Sequence, residues 1–247
     1  MAGRIVVFGA TGYTGRLVVE ALAGRGVQPI LAARNRSALE EMAASFGGLD
    51  TAVADVARPE TVHALVERGD VLVSTVGPFL RFGRAALDAA VEKGALYLDS
   101  TGEPPFIREV FEERDAAARA SGASLVTAFG YDFVPGNLAG ALALERAGES
   151  ATKVAIGYFL TGGGSMRGAM SGGTAASVAG VLMAQAFAHR DGRLVSERSA
   201  RRVRTFESHG KDLSAVSVGG SEHLALPRLH PALREVDVYL GWFGPAS

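Results

Sequence analysis

Short apolar runs alternate with amphipathic stretches over the first half of the chain. Runs at 4–8, 28–33, 50–54, 70–75, 95–98 and 123–128 predict strands. Segments at 13–24, 36–46, 59–68, 83–93, 106–121 and 136–147 carry helical spacing. Strict alternation implies a parallel sheet with helices on both faces. Right-handed crossovers then bring the strand carboxyl ends to one edge, where ligands collect. Gly69, Gly94 and Gly122 mark three helix-to-strand joints. Near residue 150 the texture changes. A longer strand is predicted over 152–160, and further strands over 202–207, 214–218 and 235–240. The expected fold is α/β: a Rossmann-type doubly wound parallel sheet plus a second, smaller α+β domain with a mixed or antiparallel sheet. The domains are placed at 1–135 for dinucleotide binding and 136–247 for substrate binding or dimerisation.

The first strand runs directly into a glycine-rich turn, Gly9-Ala10-Thr11-Gly12-Tyr13-Thr14-Gly15. Gly9 can adopt the φ values of a tight strand-to-helix turn. Gly12 leaves room for the backbone to approach phosphates, and Gly15 allows close helix packing. The helix that follows aims its unpaired N–H groups and positive dipole end at an anion. The spacing GxxGxxG, rather than GxGxxG, suits an NADP-type or extended-reductase turn. An ordinary glycine-rich βα turn is the plain structural alternative.

Cofactor choice is read at the end of the second strand. An NAD enzyme places an acid there, about twenty residues past the glycines, to bind the ribose 2′-OH. This chain has Arg34-Asn35-Arg36 and no acid. A guanidinium binds a 2′-phosphate through paired, charge-assisted hydrogen bonds. NADP is therefore expected over NAD. Alternatively, Arg36 only opens a helix and Arg34 only pairs with a surface acid. Asp55, after the third strand, sits where such folds contact adenine, or it caps the helix that starts near Pro59.

Composition narrows the classes. The 247 residues suffice for one large domain or two small ones. A formal net charge of -1 gives no reason to expect a nucleic-acid partner. The absence of cysteine excludes a thiol nucleophile, disulfides and thiolate metal sites, and fits a cytoplasmic location. The N-terminus enters the first strand at once, so no signal peptide is expected. None of the five tyrosines has lysine four positions later, and the five histidines show no zinc-ligand spacing. No Gly-x-Ser-x-Gly elbow is present.

One stretch, Gly168 to Ala188, carries no charge and approaches the length of a membrane span. Its glycine, serine, threonine and alanine content argues against an integral span. The reading here is a glycine-rich loop, Ser171-Gly172-Gly173-Thr174, followed by a buried helix from Thr174 to Ala188. The loop is expected to bind substrate. Packing or a homodimer contact is the alternative role of the helix.

Five motifs occur in order: Gly9 to Gly15, Val73-Ser74-Thr75-Val76-Gly77-Pro78-Phe79, Tyr97-Leu98-Asp99-Ser100-Thr101-Gly102-Glu103, Gly130-Tyr131-Asp132-Phe133-Val134-Pro135 and Ser171 to Thr174. Together they resemble the saccharopine dehydrogenase-like oxidoreductases, and most of all their trans-acting enoyl reductase branch, over about residues 4 to 190. The resemblance implies an NAD(P)-binding N-terminal domain and a C-terminal domain that binds a small-molecule substrate. Members of the family continue past the equivalent of residue 247, so the second domain is expected to be truncated here.

A Gly/Ala/Met-rich second half suits an apolar or lipid-like enone better than a charged amino acid. Thr75, Val76, Gly77 and Pro78, just past the fourth strand, are expected to border the nicotinamide ribose. Glu103 and the pair Tyr131 and Asp132 follow the fifth and sixth strands on the same edge. They are the candidate proton donors or relays. Glu103 would also be ordinary at a helix start, and Tyr131 and Asp132 would be ordinary as core and loop residues. Two functions stay open: an NADP-dependent reductase, and a catalytically silent NADP-binding sensor or partner protein.

Overall fold

The computed structural model describes residues 3–131, 133–159, 185–208 and 210–241. The chain divides into two compact units, one of Met1–Thr101 with Glu109–Phe129 and one of Gly102–Arg108 with Gly130–Ser247. Among the described residues no helix is long and apolar enough to cross a membrane.

In the first unit six strands form one parallel sheet: β1 (Ile5–Phe8), β2 (Ile30–Ala33), β3 (Thr51–Val53), β4 (Val71–Ser74), β5 (Leu96–Asp99) and β6 (Ser124–Val126). Their order is β3-β2-β1-β4-β5-β6. Val6 and Val7 of β1 are both fully buried although they face opposite sides, as a parallel sheet covered on both faces requires. Helices α1 (Tyr13–Ala23), α2 (Arg36–Ser45), α3 (Pro59–His63), α4 (Phe79–Phe82), α5 (Arg84–Lys93), α6 (Pro104–Glu113) and α7 (Asp115–Ser121) separate the strands. One core packs Val7, Val19, Leu31 and Leu39 between β1, β2, α1 and α2. Gly69, Gly94 and Gly122 all take positive φ at the joints.

Two helices differ from expectation. The segment 106–121 is not one helix but α6 and α7. Arg114, at the break, turns its guanidinium to Glu109 at 3.3 Å and Asp88 at 3.4 Å. Arg84 grips the same Glu109 through two 2.8 Å hydrogen bonds and holds its carboxyl below the usual range. Helix α3 stops at His63, and the chain then buries Leu65 and Val66.

The second unit carries a mixed sheet of β7 (Lys153–Tyr158), β8 (Gln185–Arg190), β9 (Arg193–Arg198), β10 (Val203–Ser208), β11 (Lys211–Ser217) and β12 (Glu235–Leu240). β12 is its axis. It runs parallel to β7 from Glu235 opposite Lys153 to Leu240 opposite Tyr158. Its other edge meets β8 at Val236 and β11 at Tyr239 and Leu240, both antiparallel. Helices α8 (Val134–Ala147) and α9 (Glu222–Leu229) cover it, closing a core of Leu144, Ile156, Leu226, Val236 and Val238.

The expected helix over 174–188 is corrected at its end. Residues 185–188 belong to strand β8, and 174–184 lie outside the described residues. β8 turns into β9 through Asp191 and Gly192, at φ +49 and +75, with Arg190 opposite Arg193. That is the two-residue Asp-Gly hairpin. A short apolar run such as Ala186-Phe187-Ala188 has no period that separates strand from helix.

Packing of α8 on β7 depends on absent side chains. A Cβ on Gly136 would overlap the Tyr158 hydroxyl, itself hydrogen-bonded to the fully buried Glu222. A Cβ on Gly140, one turn on, would lie 2.8 Å from Leu226 Cδ1. Gly136→Ala is therefore expected to destabilise the second unit by about 2 kcal/mol through overpacking. Urea unfolding compared with wild type checks it, and an unchanged midpoint would refute the packing argument.

Candidate functional site

The order of the first sheet reverses between β1 and β4, and in such sheets ligands bind outside the strand carboxyl ends at that point. The glycine turn lies there. Gly9 has φ +89, and a Cβ on it would come within 2.7 Å of Thr75 Oγ1. Its N–H and that of Ala10 both donate to the Ala32 carbonyl, at 2.8 and 3.2 Å. Gly12 N–H donates to the Gly9 carbonyl at 2.9 Å, which closes the turn. A Cβ on Gly15 would overlap that same carbonyl oxygen. Gly15 thus packs α1 against the turn itself.

Gly12 is extended and stands at the N-cap of α1 with no side-chain cap. The first-turn N–H groups of a helix have no partner within it. Thr11, Gly12, Tyr13 and Thr14 are all exposed, while Gly15 is buried. This is an open cradle of donors at the positive end of a helix dipole, and it fits a pyrophosphate.

The end of β2 lies beside β1, with Phe8 opposite Ala32. Asn35 caps α2, its Oδ1 accepting from Ala38 N–H at 3.2 Å and from the Ser37 hydroxyl at 2.9 Å. The two arginines around it are exposed. Arg36 stands 3.9 Å from Glu40, and Arg34 has no ion pair among the described residues. Asp55 does not cap α3, whose N-cap is Arg58. Its carboxylate accepts from Ala57 N–H at 3.0 Å, and its N–H donates to Thr61 Oγ1 at 2.9 Å.

Past β4, Thr75 is tied to β1. Its N–H donates to the Phe8 carbonyl at 2.9 Å, and its hydroxyl reaches the Phe8 and Gly9 carbonyls at 3.1 and 3.3 Å. This joins the loop after β4 to the glycine turn. Val76 is half-buried, Gly77 and Pro78 are exposed, and the peptide between the last two is cis. A Cβ on Gly77 would make only ordinary contact with the Phe79 ring, at 3.4 Å. The fold itself does not require glycine there.

The first unit therefore brings the glycine turn, Arg34 to Arg36, Asp55 and Thr75 to Pro78 to one edge. Glu103 and Tyr131 fall in the second unit. The Glu103 carbonyl accepts from Phe106 and Ile107 N–H at the start of α6, and its side chain is half-buried. Tyr131 is 68% exposed. Asp132 and the loop Ser171, Gly172, Gly173 and Thr174 lie outside the described residues.

Two fully buried ionisable groups escaped the sequence reading. Glu222 meets the Tyr158 hydroxyl. Next to it, burial pushes the His223 imidazole down to about 4. Nothing in their spacing distinguishes them from surface residues of a polar helix start.

Residues 5–126 match the family model described as the saccharopine dehydrogenase NADP binding domain. A Mycobacterium tuberculosis protein grouped with the trans-acting enoyl reductases is 37% identical over 195 residues. The match takes in 72% of this chain and 44% of that protein. A lipid droplet localized protein of Caenorhabditis elegans is 32% identical over 146 residues, or 54% of this chain and 34% of its own. The chain thus spans less than half the length of these curated relatives. Saccharopine dehydrogenase (L-Glu forming) from Saccharomyces cerevisiae shares the fold, with a TM-score of 0.57 at 17% identity, over 96% of this chain and 54% of its own. By its motifs, its Rossmann-like sheet and its relatives, the chain is homologous to the saccharopine dehydrogenase-like family, with trans-acting enoyl reductases among its homologues.

Proposed function

We propose that the chain carries an NADP-dependent reductase acting on an activated C=C or C=O bond of an apolar, lipid-like small molecule. The observation that carries this reading is the uncapped start of α1 behind Gly12, with Arg34 exposed at the end of the neighbouring β2. Bound NADPH would supply the hydride, leaving NADP⁺, and a proton from the protein or solvent completes the reduction. The first turn of α1 would hold the pyrophosphate. Arg34 and Arg36 would fork the 2′-phosphate. Thr75 to Pro78 would border the nicotinamide ribose, with Gly77 bare for close approach. Tyr131 and Glu103 are the candidate proton donors. The names of the matched relatives, enoyl reductases and a lipid droplet protein, support the substrate class.

Parallel titrations of NADPH and NADH test the cofactor. NADPH is expected to bind at least about tenfold more tightly, a difference of about 1.4 kcal/mol, and Arg34→Ala is expected to erase most of that gap. Equal affinities, or a variant that keeps its preference, would refute the assignment. Oxidation of bound NADPH by long-chain enones separates a reductase from a silent NADP-binding sensor, which would bind the cofactor and leave it reduced.

A further inference from the structure

At the carboxyl ends of β4, β5 and β6, four buried oxygens have no hydrogen-bond partner among the described residues: Ser74 Oγ, Tyr97 Oη, Asp99 Oδ2 and Thr127 Oγ1. The sheet register gathers them. Ser74 stands opposite Asp99, Thr127 follows the residue opposite Leu98, and Tyr97 shares the face of Asp99. The Tyr97 and Thr127 hydroxyls approach the Asp99 carboxyl, and Ser74 approaches Tyr97, without reaching good hydrogen-bond geometry. A buried polar group left unpaired is costly, so such a cluster needs a reason.

The other half of Asp99 supplies one. Its Oδ1 accepts from the N–H groups of Thr101 and Ala128, each at 2.9 Å. Its carbonyl accepts from Phe129 N–H at 2.6 Å. Thr101 and Phe129 are the residues at which the chain leaves the first unit for the second, and the remaining crossing runs through α6. Ala128 holds φ +57 without being glycine, a conformation that persists only where its surroundings impose it.

We propose that the Asp99 carboxyl anchors both of these connections where they leave the first sheet, so that its loss frees the two together. This inference goes beyond the reductase reading and needs neither cofactor nor substrate. Burial holds the carboxyl above its usual range, and the titratable group facing it, Tyr97, stays protonated. Asparagine matches such a site: it keeps the accepting oxygen and turns an amide toward the Tyr97 and Thr127 hydroxyls.

Amide hydrogen exchange on the full chain tests the proposal. In Asp99→Ala, exchange at Thr101, Ala128 and Phe129 is expected to quicken at least tenfold together. Amides of Val6 and Val7 in β1 should stay within twofold of wild type, and Asp99→Asn should restore slow exchange at both connections. Acceleration at one connection only, at neither, or equally in β1 would overturn the proposal. So would an asparagine variant as fast as the alanine one. Should Asp99→Ala fail to fold, Asp99→Ser, too short to reach both amides, replaces it with the same outcomes.

Discussion

Gly12→Val is expected to abolish NADPH binding while the first unit stays folded. The residue is exposed and extended, a conformation open to valine. A Cβ there would lie 3.2 Å from the Gly9 carbonyl oxygen, a tight contact that a small shift relieves. The branches beyond it would occupy the space before the first turn of α1. Affinity should fall by more than about 100-fold, equivalent to about 3 kcal/mol. Gly15→Val should behave differently. Its Cβ overlaps the Gly9 carbonyl and comes within 2.8 Å of Ala10 Cα, and backbone cannot swing aside. That variant should lose about 3 kcal/mol of stability or more. Cofactor titration beside thermal unfolding separates the two. A folded Gly12→Val that binds NADPH normally would remove phosphate from this turn.

The second large effect is a loss of stability in mild acid, centred on His223. The ring is fully buried, edge-on to Phe187, with Nδ1 3.2 Å from the Gly220 nitrogen. Burial lowers its folded pKa to about 4 from an ordinary 6.5. Above pH 6.5 the imidazole is neutral in both states and costs nothing. As pH falls from 6.5 toward 4, the unfolded chain takes up a proton that the folded one refuses. Stability is lost across that window, by about 3 kcal/mol in all. Burial lowers His189 as well, which adds in the same direction. With two units a single unfolding free energy is not assured. Exchange at Ala186, Phe187 and Ala188 of β8 is therefore the measurement. It should rise as pH drops below 6.5, after correction for intrinsic rates, and His223→Leu should flatten the rise. Equal pH dependence in both proteins would show that His223 is not its source.

Much of the first unit was legible because each signal is local. The run Arg4 to Phe8 has no polar interruption after its first residue, and the glycines behind it form a turn by their own backbone freedom. Gly69, Gly94 and Gly122 announced joints that the structure places at positive φ. The β8–β9 hairpin carried a local signal too, in Asp191-Gly192, but the alanine-rich stretch before it reads equally as helix. Asp99 was hidden in another way. It stands in a motif whose exposed-looking acid, Glu103, drew the chemistry. Only the register of three strands shows that Asp99 is 1% exposed and faces Tyr97 and Thr127. The same holds for Glu222 and His223, whose burial is decided by Tyr158 and Phe187 far along the chain.

The position of β12 bears on how this chain acquires its structure during synthesis. The strands of the first sheet are complete once Val126 has been made. β7 is made soon afterwards, yet its neighbour among the described residues is β12, with Lys153 opposite Glu235. Closing so long a loop delays pairing, and the waiting strand presents an open edge to other chains. The first unit is thus expected to mature on the ribosome well ahead of the second. The interval between Tyr158 and Glu235 is the stretch of translation in which this protein is most exposed to misassociation.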